Sequence, residues 1–162
     1  MYARHCIPWG SKVYADMPGE ALYQKTFYIR GNDFDKAGEV STQIKTVLKG
    51  VGINSNLIRR VAIAAFEAEM NVVIHADMGK VDFTITPEDI LITISDEGPG
   101  IPDIELAMQE GYSTASDEMR EMGFGAGMGL PNIKKNCDEM NIESEVGVGT
   151  LLTIVIHHHK KP

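Results

Sequence analysis

From Val81 to Ile94 the chain reads as one β-hairpin. Val81, Phe83 and Ile85 alternate with polar residues, Thr86-Pro87-Glu88-Asp89 turns, and Ile90 to Ile94 returns. Directly upstream, Leu57 to Ala76 carries apolar residues at helical spacing behind a cap at Asn54-Ser55-Asn56. An earlier strand spans Leu22 to Ile29, and a helix capped by Asp33 runs to about Lys49, where Gly50 and Gly52 stop it. Downstream, Ile101 to Gly123 is polar and loop-like, with a short helix from Asp103 to Gln109. A third main helix covers Gly127 to Met140, with Pro131 in its first turn, where no N–H partner is needed. Ile142 to Val146 and Leu151 to Ile156 close the chain as a hairpin around Gly147-Val148-Gly149-Thr150. The order βααββαββ predicts an α/β two-layer sandwich: a largely antiparallel mixed sheet with about three helices on one face.

At 162 residues and 43% apolar composition, the chain fits one domain with a real core. A net charge of −8 argues against a direct nucleic-acid partner, which would need clustered Lys and Arg. No apolar run reaches membrane-spanning length, and the polar N-terminus does not read as a signal peptide, so the expectation is cytoplasmic with no membrane partner. Cys6 and Cys137 have no metal-type spacing. The expected division is an N-terminal extension over 1–20, a domain over 21–157 and a tail over 158–162.

Three segments carry chemistry. Glu67, Asn71 and His75 fall four apart, so on a helix they form one ridge, about 40° and 6 Å from step to step. Asn71 could lend a carbonyl oxygen to Mg²⁺, and Glu67 could take a proton from an attacking hydroxyl. The same ridge also fits the solvent edge of an amphipathic helix. Asp96-Glu97-Gly98-Pro99-Gly100 is an acidic turn at a strand end. Its carboxylate could accept from an amine such as that of adenine, or bond its own backbone. Gly123, Gly125, Gly127 and Gly129 alternate ahead of a helix whose N-terminus suits phosphate, although a flexible hinge has the same composition. Neither a P-loop nor Gly-x-Gly-x-x-Gly occurs.

Taken in this order, the motifs resemble the ATP-binding domain shared by gyrase B, Hsp90, sensor histidine kinases and MutL. Glu67 and Asn71 match its N-box, Asp96 to Gly100 its Asp-x-Gly-x-Gly box, and Gly125 to Leu130 its Gly-x-Gly-x-Gly-Leu box. Gly149-Thr150 matches its late Gly-Thr pair, and the resemblance spans about residues 21–157. Within that superfamily, Pro102 to Thr114 and Gly129-Leu-Pro-Asn-Ile-Lys134 look like the anti-sigma and switch serine/threonine kinases. The resemblance implies transfer of the ATP γ-phosphoryl group to a Ser or Thr of a STAS-domain regulator, an anti-anti-sigma or scaffold protein. It implies Glu67 as the catalytic residue, Asn71 as the Mg²⁺ ligand, and Asp96 on the adenine amine with Thr150 in support. Gly98, Gly100 and Ile101 belong to the same nucleotide site, as do Gly123, Phe124, Gly125, Ala126, Gly127, Met128, Gly129, Leu130 and Lys134. Ile101 to Phe124 becomes a lid over the phosphates. A sigma factor, a phosphatase or a second copy of the chain are further partners the resemblance allows.

The chain departs from that pattern in the length of its N-terminal extension and in the charged insert Ser116-Asp-Glu-Met-Arg-Glu121 of the lid. The insert keeps an alternative open: an ATP-dependent module that sequesters its partner without phosphorylating it. His157-His158-His159 reads as a polar strand end, since no separated ligand completes a metal site. An orphan histidine-kinase catalytic domain is disfavoured, because no helical dimerisation segment with a phosphoacceptor histidine is seen.

Overall fold

The computed structural model describes residues 19–159. Cys6, most of the extension and residues 160–162 of the tail lie outside them. The described chain runs β1 (Tyr23–Arg30), α1 (Glu39–Gly50), α2 (Ser55–His75), β2 (Met78–Ile85), β3 (Asp89–Asp96), α3 (Ile104–Ala107), α4 (Asp117–Glu121), α5 (Gly129–Asn136), β4 (Glu139–Glu145) and β5 (Gly149–His157). The strands form one sheet in the order β1-β2-β3-β5-β4. Every ladder in it is antiparallel, so the mixed element of the expected sheet is absent among the described strands.

Strand alternation produces the buried layer. Phe83 lies opposite Ile92 and Ile92 opposite Ile154, so one face of the sheet is continuously apolar across β2, β3 and β5. Ile44 and Leu48 of α1, Val61 and Ala64 of α2 and Ile133 of α5 pack on that face, all fully buried. Burial of each large side chain there contributes about 1.5–3 kcal/mol. At Gly79 a Cβ would come within 2.7 Å of Val72 Cγ1, so a side chain on β2 would push α2 off the sheet.

Local chemistry fixes most boundaries. Asn54 caps α2 by accepting the Leu57 N–H at 3.0 Å. The helix α1 begins later than its sequence suggests, because 33–38 form turns and Gly38, not Asp33, is the capping position. No local side chain caps it. Glu69 of α2 does so instead, accepting the N–H groups of Gly38, Val40 and Ser41 at 3.0, 3.1 and 3.0 Å. The third main helix ends at Asn136, short of the expected Met140. There the chain turns into β4, held by the Asp138 N–H on the Val155 carbonyl at 2.9 Å and by an Arg60–Asp138 ion pair at 2.9 Å. Strand β4 therefore starts three residues before the expected Ile142. The charged insert of the lid is a short helix, α4, capped by Ser116.

Candidate active site

Between α2, the C-terminal end of β3 and the glycine run lies a cavity of about 440 Å³, within the usual range for small-molecule sites. The helix α2 presents Glu67 and Asn71 to it, one turn apart, while β3 and β5 present Asp96 and Thr150. The antiparallel register of β3 and β5 makes the second pair, since Asp96 is the direct partner of Thr150. Gly100 and Ile101 line the cavity as well, as do Gly123, Phe124, Gly125, Ala126, Gly127, Met128, Gly129 and Leu130.

Two of the expected residues stand outside this lining. Gly98 sits behind Asp96, where a Cβ would meet Asp96 Oδ1 at 2.9 Å, so it supports the acid without facing a ligand. Lys134 is exposed on α5, more than a turn past the helix N-terminus that borders the cavity. Its neighbour Lys135 pairs with Glu110 at 2.6 Å. Among the described residues no lysine or arginine lines the cavity. Positive potential at its phosphate end therefore comes from backbone N–H groups and the N-terminus of α5.

Asp96 is held in a small polar network. The Thr150 N–H reaches its Oδ1 at 3.2 Å. The Ser144 hydroxyl donates to the Gly149 carbonyl at 3.0 Å, accepts the Ile101 N–H at 2.8 Å and lies 2.9 Å from Thr150 Oγ1. With the Ser144 proton committed, the Thr150 hydroxyl donates to Ser144, which leaves a Thr150 lone pair for the cavity. Burial pushes the Asp96 carboxyl up to about 6 against the pull of the Thr150 and Gly98 backbone groups. A half-enclosed carboxylate here is a strong acceptor awaiting an N–H donor. Desolvation also lowers the His75 pKa, although the residue as a whole remains exposed.

At the other wall, Glu67 Oε1 accepts from Asn132 Nδ2 at 3.0 Å. A Cβ at Gly129 would lie 3.1 Å from Asn71 Oδ1 and 3.5 Å from Glu67 Oε2, so the first turn of α5 abuts the α2 ridge. The glycine run also packs against the lid. A Cβ on Gly125 would fall 2.2 Å from Ala115 Cβ, and one on Gly127 (φ +75°) 2.4 Å from the Gly111 carbonyl carbon. The Gly111 N–H donates to the Gly127 carbonyl at 2.9 Å, and the ring of Phe124 lies 5.1 Å from that of Phe34. Asn132 and Ser144 are the residues that motif reading passed over. Asn132 lies within the run Gly129-Leu-Pro-Asn-Ile-Lys134 that carries the resemblance, but nothing in that run assigned it a role.

Residues 56–160 match the family described as histidine kinase-, DNA gyrase B- and HSP90-like ATPase. The chain is similar to the serine/threonine-protein kinase RsbT of Bacillus subtilis (strain 168), 31% identical over 65% of this chain and 77% of that protein. It is also similar to anti-sigma F factors of Caldanaerobacter subterraneus subsp. tengcongensis and Thermoanaerobacter sp. (strain X514), each 37% identical over 59% of this chain. It spans 66% of the length of each of these two. The chain belongs to the histidine kinase-, DNA gyrase B- and HSP90-like ATPase family, in its branch of anti-sigma factors and serine/threonine kinases. That membership carries ATP binding and a kinase-type function. Among the described residues no helix is long and apolar enough to cross a membrane.

Proposed function

We propose that this chain transfers the γ-phosphoryl group of ATP to a Ser or Thr hydroxyl of a STAS-domain regulator, with Glu67 as the base. The observation that carries this reading is the juxtaposition of Glu67 and Asn71 with the N-terminus of α5 on one wall of the cavity that holds Asp96. Asp96, supported by Thr150, accepts the adenine amine. Backbone N–H groups of Gly125, Gly127 and Gly129 meet the phosphates. Glu67 accepts the proton of the acceptor hydroxyl as its oxygen bonds to the γ-phosphorus and the bond to the ADP oxygen breaks. Such transfer needs positioning and charge neutralisation more than covalent help from the protein.

The donor set fits Mg²⁺. Asn71 offers one neutral carbonyl oxygen beside the helix N-terminus and leaves the other positions to waters and phosphate oxygens. The ion would supply phosphate neutralisation that no lysine or arginine among the described lining residues provides. A module that only sequesters its partner has no use for a carboxylate at this position, which favours transfer over sequestration.

The test is phosphorylation of purified STAS proteins with radiolabelled ATP and Mg²⁺. Glu67→Gln should lower the rate by about 10²–10⁴-fold, the usual contribution of a general base, and leave ATP binding intact. Transfer at the wild-type rate in that variant would remove Glu67 from its role.

A further inference from the structure

We propose that Asn132 is the positioning residue of Glu67, and that through it the first turn of α5 sets the base. The proposal rests on the reading of Glu67 given above. A glutamate in mid-helix has three free torsions and is useful as a base only when one rotamer is held. Asn132 Nδ2 supplies the hold, donating to Glu67 Oε1 at 3.0 Å in a part-buried setting. Because the carboxylate only accepts, the amide must present its NH₂ group there.

Asn132 is itself fixed. Its N–H bonds the Met128 carbonyl at 2.9 Å and its carbonyl takes the Asn136 side chain at 2.8 Å. On either side, Pro131 and Ile133 are buried. One carboxylate oxygen is thus tied to α5. The other lies beside Gly129, 3.5 Å from the position of an absent Cβ, at the helix end that would meet phosphate. An amide cannot take up a proton at neutral pH, so Asn132 acts through Glu67 and not on the substrate. Since α5 begins where the glycine run ends, a shift of that run carries Asn132 with it and changes the aim of Glu67. Nucleotide engagement and base alignment are coupled by this one hydrogen bond.

The proposal is tested on the full chain with Asn132→Ala and with Asn132→Asp, which keeps the shape of the side chain but has no N–H to give. Both should lower kcat for transfer to a STAS protein that the wild type phosphorylates by about 10–100-fold, the usual effect of slight misplacement. KM for ATP and ATP binding should stay at wild-type values. In a Glu67→Gln background Asn132→Ala should add nothing. A second readout needs no turnover. In the nucleotide-free protein the Asn132 side-chain NH₂ protons should exchange slowly in ¹⁵N-resolved NMR, and Glu67→Ala should abolish that protection. Full kcat in either Asn132 variant, a loss of ATP affinity that matches the loss of rate, or unprotected NH₂ protons would each overturn the proposal. Retained transfer in Glu67→Gln removes the base itself. Loss in Glu67→Gln with full activity in Asn132→Ala removes only Asn132.

Discussion

Glu69 lies two residues from Glu67 and, at about 100° per residue, on the opposite side of α2. It is 2% exposed, and its carboxylate carries the N-terminus of α1, which no local side chain caps. Three backbone N–H groups converge on it at 3.0–3.1 Å, two of those contacts fully buried. Hydrogen bonds to a charged group contribute about 1.5–3 kcal/mol each. Deleting the side chain strands all three donors, while water entering the vacated space recovers part of the loss. Glu69→Ala should therefore cost about 3–6 kcal/mol, a large share of the roughly 5–15 kcal/mol that holds a domain of this kind together. Glu69→Gln keeps one acceptor oxygen and turns an NH₂ toward a donor, for about 1–3 kcal/mol. Urea unfolding followed by circular dichroism should show lower midpoints with unchanged slope. Amide exchange should accelerate first at Val40 and Ser41. The reasoning fails if both variants unfold at the wild-type midpoint, or if Glu67→Gln, which strands no backbone donor, costs as much as Glu69→Gln.

Two further outcomes follow from the cavity. Asp96 has a folded pKa of about 6 against an ordinary 3.8, so between those values the native state holds a proton that the unfolded chain has released. The Asp96 contribution to the stability of the nucleotide-free protein should be full below about pH 4 and be lost as pH rises through about 6. Asp96→Asn should abolish that slope in thermal melts and weaken ATP binding. In the wild type, ATP affinity should move the other way, dropping below about pH 6 as the acceptor carboxylate is protonated. Gly127→Ala places a Cβ 2.4 Å from the Gly111 carbonyl carbon in a left-handed backbone, so the lid must shift. ATP affinity by calorimetry should fall about tenfold or more, a loss of some 1.4 kcal/mol, and the strained backbone should lower Tm as well. Gly50→Ala, with nothing within 4 Å at the end of α1, should instead stabilise by up to about 1 kcal/mol.

The hairpin was legible because Val81, Phe83 and Ile85 alternate along β2 and the apolar run Ile90 to Ile94 answers them, while the β3–β5 register brings Asp96 beside Thr150. Asn54 was legible as a cap because a cap and its N–H partner lie within one turn of chain. The errors lie where a distant segment decided the outcome. Asp33 looked like a helix start, yet the N–H groups of α1 are satisfied from α2, thirty-one residues beyond Gly38. Met140 looked helical until Asp138 paired with Val155 in β5. Lys134, expected at the phosphates by its distance along the chain, stands outside the cavity lining, which touches only the first turn of α5.

The same distinction separates the three polar residues around α2. Periodicity alone puts Glu67 and Asn71 on one ridge and Glu69 on the other face, which any helical wheel would show. It cannot say that the second face meets the open end of another helix, so Glu69 reads as a flaw in an apolar stripe although it completes α1. Nor can it say that the first turn of α5 reaches back across sixty-five residues to hold Glu67 through Asn132. Motif spacing records what must lie near a ligand, and the ligand's chemistry fixes those residue types. The side chains that aim the motif answer to packing between helices. Helix α2 packs against both α1 and α5, and Ala64, Ala65 and Ala68 are buried along it. Ala68 also lines the cavity, so a bulky residue there should both disturb Glu67 and reduce the space for a nucleotide, read as lost ATP affinity together with lost transfer.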